Sequence, residues 1–523
     1  MLGAQHRHNP RPSQSPLQEA VPQVQNPKAI IIGAGMAGLS AALELNRQGV
    51  EVLVLEKAAT PGGKIREVRV DGLPIDSGPT VFTMRWVFDQ LFEAAGSRLD
   101  EHLRLVPLDI LARHAWSEHE RLDLFADPER SADAIGAFAG PEEARRFQGF
   151  CQQARRTYHT LEDTFIHNTR PTPVSLVARA GLRRIGDLMR MSPYDTLWHA
   201  LGKHFHDPRL RQLFGRYSTY CGSSPYLAPA TLMLIAHVEQ QGVWSVEDGM
   251  ARLPEALYRL AAAQGVQFLF ETRVTRINLR AGRVCGVAIG DHETLDADLV
   301  VFNGDANALA RGHLGIEVAG GVKGNPPAAR SLSALTWSLM GIPRGFPLTR
   351  HNVFFSKDYA AEFRDIFEHR RLPGEPTVYI CAQDRTDDGG HEPDGPERLF
   401  CLVNAPPCGD QHHFKPAEIT QCEESTFRLL ARCGLHLDPT QSPHHITTPT
   451  DFEHLFPATG GALYGQATHG WRASFDRPGS HSRIPGLYLA GGSVHPGAGI
   501  PMATLSGRLA AQAVIQDLTS RKS

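Results

Sequence analysis

The chain has 523 residues, of which 41% are hydrophobic and 21% charged, with a net charge of −3. That length exceeds what one hydrophobic core usually supports, so two domains are expected, and the near-neutral charge gives no reason to expect nucleic acid as a partner. No apolar run reaches the roughly 18 residues of a membrane span, and the eight cysteines include no C-x-x-C pair, which argues against a zinc or redox pair and fits reduced thiols in a cytoplasm.

Residues 1–27, rich in Pro, Gln, Asn and His without an apolar core, read as a disordered tail and not as a secretory signal. The folded chain opens with a predicted buried strand at Ile30 to Ile32, a turn at Gly33 and Gly35, and a helix over Leu39 to Leu45. Gly33 permits the turn, Gly35 lets a pyrophosphate approach the backbone, and Gly38 lets the helix pack against the strand. The phosphates then meet the free N–H groups of the helix N-terminus. A second strand, Val50 to Leu55, ends at Glu56, about 18 residues beyond Gly38, where an acid bonds a ribose 2′-hydroxyl. An acid there repels a 2′-phosphate, so the ligand is FAD or NAD and not NADP. Lys57 and then Pro61-Gly62-Gly63-Lys64-Ile65-Arg66 follow. Two adjacent glycines and basic residues after the acid resemble the extended fingerprint of flavoproteins of the glutathione-reductase type, which hold FAD.

Val68 to Val70 and Gly72 read as a hairpin feeding Ile75-Asp76-Ser77-Gly78-Pro79-Thr80. This segment resembles the D-x-G-P stretch that returns to the isoalloxazine ring in amine-oxidase-like flavoproteins. From 86 to 239 helical periods are expected to replace strands: Trp86 to Ala95, Glu142 to Phe165, Leu176 to Met191, Tyr194 to Phe205 and Pro208 to Thr219. The stretch Leu176 to Met191 pairs apolar residues at helical spacing with Arg179, Arg183, Arg184 and Arg190, a pattern open both to a solvated helix and to one lying in a membrane interface. Leu213 to Pro229, with Tyr217 and Tyr220 inside it, reads as a substrate-facing segment, and core aromatics would explain Phe214 and Tyr217 equally well. Glu247-Asp248-Gly249-Met250 leads into a further helix.

Strand-like runs recur at Val266 to Phe270, Val274 to Ile277, Val284 to Ile289 and Leu299 to Phe302, the last closing on Asn303-Gly304-Asp305. Ser333 to Met340, Thr377 to Ala382 and Arg398 to Val403 read as strands of an antiparallel sheet, with a Gly-, Asp- and His-rich loop at Asp387 to Gly395. The paired histidines at 412, 413, 444 and 445 lack the acid spacing of a metal site and read as loop histidines. Leu487-Tyr-Leu489-Ala490-Gly491-Gly492 to Gly499-Ile500-Pro501-Met502 is a strand, a glycine pair and a turn into a helix over Thr504 to Leu518, again a site for negative charge at a helix N-terminus.

Ile30 to Gly63, Asp76 to Thr80, Gly249-Met250, Gly461-Ala-Leu463-Tyr464-Gly465 and Ala490 to Pro501 together resemble the bacterial phytoene desaturase family of carotenoid desaturases, over nearly the whole chain from residue 29 onward. Tyr217 to Pro229 with Gly242-Val-Trp244 is similar to its 1-hydroxycarotenoid 3,4-desaturase subgroup. The resemblance implies an α/β fold: a Rossmann-like FAD-binding domain of glutathione-reductase type (28–85, 240–310 and 470–523) with a discontinuous α+β substrate domain (86–239 and 311–469). It implies that Val274 meets adenine through its backbone, that Asn303 and the Gly491, Gly492, Gly499, Ile500 and Met502 turn belong to the FAD site, and that Tyr217, Tyr220, Gly249 and Met250 face substrate. The implied reaction is FAD-dependent removal of two hydrogens from an acyclic carotenoid, the electrons passing to quinone or O₂. No nucleophilic constellation is present, so His495, Glu247 and Asp248 are the candidates for handling the proton. The implied location is the face of a bacterial inner membrane, reached from the cytoplasm. Amine and protoporphyrinogen oxidases, phytoene desaturases, carotene isomerases and prenyl-binding escort proteins share parts of the pattern and stay open as alternatives.

Overall fold

A computed structural model describes residues 26–162, 195–290, 293–385, 393–473 and 475–520. The expected tail up to residue 25, the Arg-rich stretch Leu176 to Met191 and most of the loop at Asp387 to Gly395 lie outside the described residues.

The apolar runs Lys28–Ile32, Glu51–Leu55, Gln267–Leu269, Leu299–Phe302 and Leu487–Leu489 form one five-stranded parallel sheet. In the sheet, Lys28–Ile32 is central, flanked by Glu51–Leu55 and Leu299–Phe302, with the other two strands outside these. Near-continuous hydrophobicity in the inner runs follows from burial on both faces, whereas the edge strand Gln267–Leu269 is largely exposed. Ile31, Val52, Val54 and Val301 point toward a layer of helices that includes Met36–Arg47, Arg252–Ala263 and Ile500–Ser520. Ile30, Leu55, Val300 and Phe302 point the other way, into a small antiparallel sheet of Val274–Arg280, Arg283–Ile289 and Glu293–Asp296. Helix Arg85–Ala94 also packs into the helical layer, through Val87, Phe88, Leu91 and Phe92. Two of the helices touch backbone to backbone: a Cβ on Gly507 would lie 2.1 Å from the Ala37 carbonyl oxygen.

The second large sheet has seven strands, in the order His444–Thr447, Ser333–Gly341, Glu397–Ala405, Val378–Ala382, His351–Phe354, Ile110–Ala115 and Arg121–Phe125. It is antiparallel except where His351–Phe354 runs parallel to Ile110–Ala115. The three strands expected after residue 311 are therefore present, and two more come from a region expected to be helical. Ile110–Ala115 and Arg121–Phe125 are short, and their partner strand lies far away in sequence, with Asn352 opposite Arg113. Nothing local distinguishes such runs from the helical patterns around them. The expected helices at Pro141–Leu161 and Leu197–His204 form, whereas the one begun at Pro208 stops at Gly215 and tightens into a 3₁₀ turn, Arg216–Cys221. His444 and His445 stand exposed on a strand and not in a loop.

Candidate functional site

Between the two large sheets runs a cavity of about 1570 Å³. Small-ligand sites occupy roughly 300–1,000 Å³, so this one has room for more than one ligand or for an unusually long one.

At one end lie Gly33, Gly35, Glu56, Lys57 and Val274. Gly33 has φ +105°, a conformation that favours glycine. Gly38 stays behind the cavity wall, where a Cβ would sit 2.0 Å from the Gly33 carbonyl oxygen, so its role is the close packing expected from the sequence. Glu56 ends the second strand with its carboxylate accepting the Ala34 and Ala58 N–H groups at 2.7 and 2.8 Å. The Lys57 ammonium donates to the Leu455 carbonyl. Gly35, the N-cap of helix Met36–Arg47, has no side chain with which to cap it.

The middle of the cavity is lined by Gly62, Gly63, Lys64 and Arg66 on one side and Gly78, Pro79 and Thr80 on the other. These two segments touch: a Cβ on Gly78 would fall 2.1 Å from the Lys64 carbonyl oxygen. Burial lowers the pKa of Lys64, opposed by the nearby Asp305 carboxylate, and its ammonium lies over the Phe456 ring. Arg66, also lowered by burial, donates to Thr447 Oγ1 at 2.9 Å. Gly491, Gly492, Gly499, Ile500 and Met502 complete this part, at the N-terminus of the long C-terminal helix. Arg477 fixes the turn, donating to the carbonyls of Gly492 at 2.9 Å and Gln466 at 2.7 Å. Asn303 joins the two ends: its Oδ1 accepts the Gly38 N–H at 3.0 Å and its Nδ2 donates to the Ala490 carbonyl at 3.2 Å.

Beyond Thr80 the walls carry Arg216, Tyr220, Glu239, Tyr359 and Tyr379 among apolar side chains such as Leu232, Ile235, Phe400 and Leu402. Thr80 Oγ1 and Tyr379 Oη are 2.6 Å apart. Glu239 accepts the Tyr217 hydroxyl at 2.7 Å, and burial raises its pKa against the pull of the Tyr217 and Tyr220 hydroxyls.

Several residues singled out in the sequence fall elsewhere. Tyr217 is buried behind the wall and reaches the cavity only through Glu239. Gly249 and Met250 do not line it either; the Met250 N–H donates to Asp76 Oδ2 at 2.8 Å, so the Gly-Met turn braces the strand that leads to Gly78. Glu247 is exposed and ion-paired with Arg104 at 3.2 Å, and Asp248 is exposed with φ +61°. Both occupy a turn after strand Val243–Val246, and a turn of that kind puts its charged side chains into solvent. His495 is buried, its N–H on the Pro478 carbonyl, and only its neighbour Pro496 reaches the cavity. None of the three candidates for the proton therefore faces the cavity. Arg216, Glu239, Tyr359 and Tyr379, which do, belong to no motif, and their only sequence signal is polarity inside apolar segments.

The residues present fit FAD. The cradle leaves no space for a Cβ at Gly38, Gly62 or Gly78. Glu56 stands at the end of the second strand, and two helix N-termini open on one cavity whose volume of about 1570 Å³ has room for both halves of a dinucleotide.

The chain matches the family described as flavin containing amine oxidoreductase over residues 36–515. It is 56% identical over 494 residues to a hydroxyneurosporene desaturase of Rubrivivax gelatinosus, covering 94% of each chain. It is 45% identical to a hydroxyneurosporene desaturase of Cereibacter sphaeroides, covering 95% of this chain and 99% of the relative. To a 1-hydroxycarotenoid 3,4-desaturase of a Flavobacterium it is 32% identical, covering 93% and 99%. Among solved structures, an oxidoreductase of Methanosarcina mazei superposes with a TM-score of 0.59 at 15% identity, covering 94% of this chain and 100% of the other, a likeness of fold alone. With a family match across most of its length and a relative more than half identical, the chain belongs to the flavin containing amine oxidoreductases, as an FAD-dependent member of their carotenoid desaturase branch.

Proposed function

We propose that this protein introduces a C=C bond at C-3,4 of an acyclic 1-hydroxy- or methoxy-carotenoid. The observation that carries the reading is the continuity of the cavity, which runs without a wall from the glycine cradle past Thr80 into an apolar compartment of the second sheet. A long polyene and a dinucleotide can therefore meet inside one protein, and the high identity to hydroxyneurosporene desaturases supports that substrate class.

Gly33, Gly35 and the N-terminus of helix Met36–Arg47 would hold the pyrophosphate, with Glu56 on a ribose hydroxyl and Val274 beside the adenine. Gly62 to Arg66, Gly78 to Thr80 and the Gly491 to Met502 turn would hold the flavin half. FAD held there would supply the two-electron oxidant for removing a hydride and a proton from adjacent carbons, with quinone or O₂ as the proposed final acceptor of the electrons. The protein's own part is to orient the polyene, exclude water and receive that proton. Glu239 is the carboxylate we assign to the last task, since it lines the cavity beside Leu232 and Ile235 and burial raises its pKa, which favours holding a proton.

Transfer of a C40 hydrocarbon into water costs on the order of 20 kcal/mol at about 25 cal/mol/Å². Collection from a lipid bilayer avoids that cost, because both environments are apolar, so we infer a monotopic contact with the membrane. Among the described residues no helix is long and apolar enough to cross one. Leu161 and Asp195, which flank the segment carrying Arg179, Arg183, Arg184 and Arg190, both line the cavity, which supports that segment as part of the contact.

The test is incubation of FAD-loaded protein with liposomes containing an acyclic 1-hydroxycarotenoid or phytoene, followed by pigment chromatography. A product from the hydroxylated carotenoid absorbing at longer wavelength is expected. Conversion of phytoene alone sinks the assignment. Glu239→Gln is expected to lower kcat by roughly 10²-fold or more with FAD content retained.

A further inference from the structure

We propose that Arg216, with Tyr220 and Tyr359, forms a subsite that recognises the oxygen on C-1 of the substrate and so selects oxygenated acyclic carotenoids over the plain hydrocarbon. The inference rests on the substrate class proposed above and deepens it.

A guanidinium in an apolar cavity is costly unless something satisfies it. Arg216 lines the cavity from the 3₁₀ turn Arg216–Cys221. Its Nη1 donates to Tyr220 Oη at 3.0 Å, and its plane lies 5.2 Å from the Tyr220 ring and 5.4 Å from the Tyr379 ring. No carboxylate comes within ion-pair distance of it among the described residues; Glu239 and Glu362 act on it only through space, Glu239 by way of the shared Tyr220 hydroxyl. Since a guanidinium carries five N–H donors, donors remain for a ligand. Tyr359 is 5% exposed and also lines the cavity, yet its hydroxyl has no hydrogen-bond partner among the described residues; Thr336 Oγ1 is in the same state. A hydrocarbon polyene would satisfy none of these groups, whereas an alcohol satisfies a donor and an acceptor at once. The substrate oxygen would accept from Arg216 and its hydroxyl proton would go to Tyr359 Oη. A methoxy oxygen keeps the first contact and loses the second.

Position points the same way. An oxygen on C-1 is three covalent bonds from C-3, so it lies within roughly 4 Å of the bond that is desaturated. A group that reads it must stand beside the flavin and not at the far end of a tunnel. Arg216 lies over Tyr379, and Tyr379 is hydrogen-bonded to Thr80, which follows the Gly78-Pro79 segment proposed to meet the flavin. The polar cluster thus borders the reacting end of the cavity.

The experiment compares kcat/KM in liposomes for an acyclic 1-hydroxycarotenoid, its 1-methoxy ether and the hydrocarbon lacking the oxygen, using wild type, Arg216→Leu and Tyr359→Phe. FAD content and Tm are measured on each. Wild type should favour the alcohol over the hydrocarbon by roughly 10- to 100-fold, the range of one hydrogen bond to a charged group. Arg216→Leu should bring that ratio near one, and Tyr359→Phe should narrow the preference for alcohol over ether. An intact ratio in FAD-loaded Arg216→Leu, or equal losses on all substrates, overturns the subsite and leaves Arg216 a role toward flavin or fold. If that variant fails to hold FAD, an unchanged alcohol preference in the isosteric Tyr359→Phe enzyme overturns it instead. Wild type that converts alcohol and hydrocarbon alike overturns the subsite while the desaturase reading stands. Wild type that converts neither overturns both.

Discussion

Asn303 couples parts of the chain far apart in sequence, because its two amide atoms face opposite ways, one toward the Gly38 N–H and one toward the Ala490 carbonyl. Asn303→Asp keeps the acceptor but sets a carboxylate oxygen against that carbonyl. At about 2 kcal/mol for a buried polar mismatch, FAD affinity should fall roughly 10- to 30-fold, measured by titration of the apoprotein with flavin fluorescence. Gly78→Ala should be harsher, since its Cβ meets the backbone of Lys64 and cannot be relieved by a side-chain rotation. We expect protein with little bound FAD and a lowered Tm, whereas Gly72→Ala, at a hairpin glycine with open space around it, should retain FAD. The placement of the glycines and of Glu56 was legible in the sequence because it is local: a turn, a close approach, an acid at the end of a strand. Asn303 was named only through the family resemblance, and Arg216 and Glu239 were not named at all, since their partners come from distant segments. Glu247 and Asp248 lie away from the cavity because neighbourhood in sequence to the Gly-Met turn says nothing about which way a turn residue points.

Among elements, the parallel junction within the seven-stranded sheet has an unusual content. His114 on Ile110–Ala115 and His351 on the adjoining His351–Phe354 are both buried, and burial is the main cause that pushes each imidazole pKa down to about 3 from 6.5. Positive charge on Arg216 adds to the effect at both. Between pH 6.5 and 3 the unfolded chain binds protons that these folded strands refuse, so stability is lost as pH falls through that window. By pH 5 the loss is about 2 kcal/mol for each histidine. Tm should therefore drop between pH 7 and pH 5, and the drop should be smaller in His114→Leu, even if that variant is less stable at pH 7. An equal pH slope in the variant would refute the assignment. Strands of the parallel sheet announced themselves by apolar runs, whereas Ile110–Ala115, with an arginine and a histidine in six residues, reads as a strand only once its distant partner is in place.

For the molecule as a whole, the membrane contact makes a quantitative demand. Near an anionic surface each basic residue contributes about 1 kcal/mol, so replacing Arg179, Arg183 and Arg184 together by alanine should weaken binding to anionic vesicles by roughly 100-fold, with little effect on neutral ones. Sedimentation with vesicles of each kind measures this, and unchanged binding removes the segment from the contact. The order of strands in the parallel sheet has a further consequence, which concerns timing. The central strand is followed by its neighbour Leu299–Phe302 only after some 270 residues, and the outer strand Leu487–Leu489 comes roughly 450 residues after Ile32, which at about 5–20 residues per second means about 20 to 90 s of synthesis. Until Gln267–Leu269 and Leu299–Phe302 are made, both edges of the first β-α-β unit are bare; until Leu487–Leu489 follows, the Leu299–Phe302 edge is bare and the Gly507 side of the first helix is uncovered. Its cofactor site lacks the turn that Asn303 will later tie to it. The cofactor cradle is therefore complete only once the chain has been made past Met502, and while the nascent chain waits, its bare apolar edge is a surface that chaperones can hold.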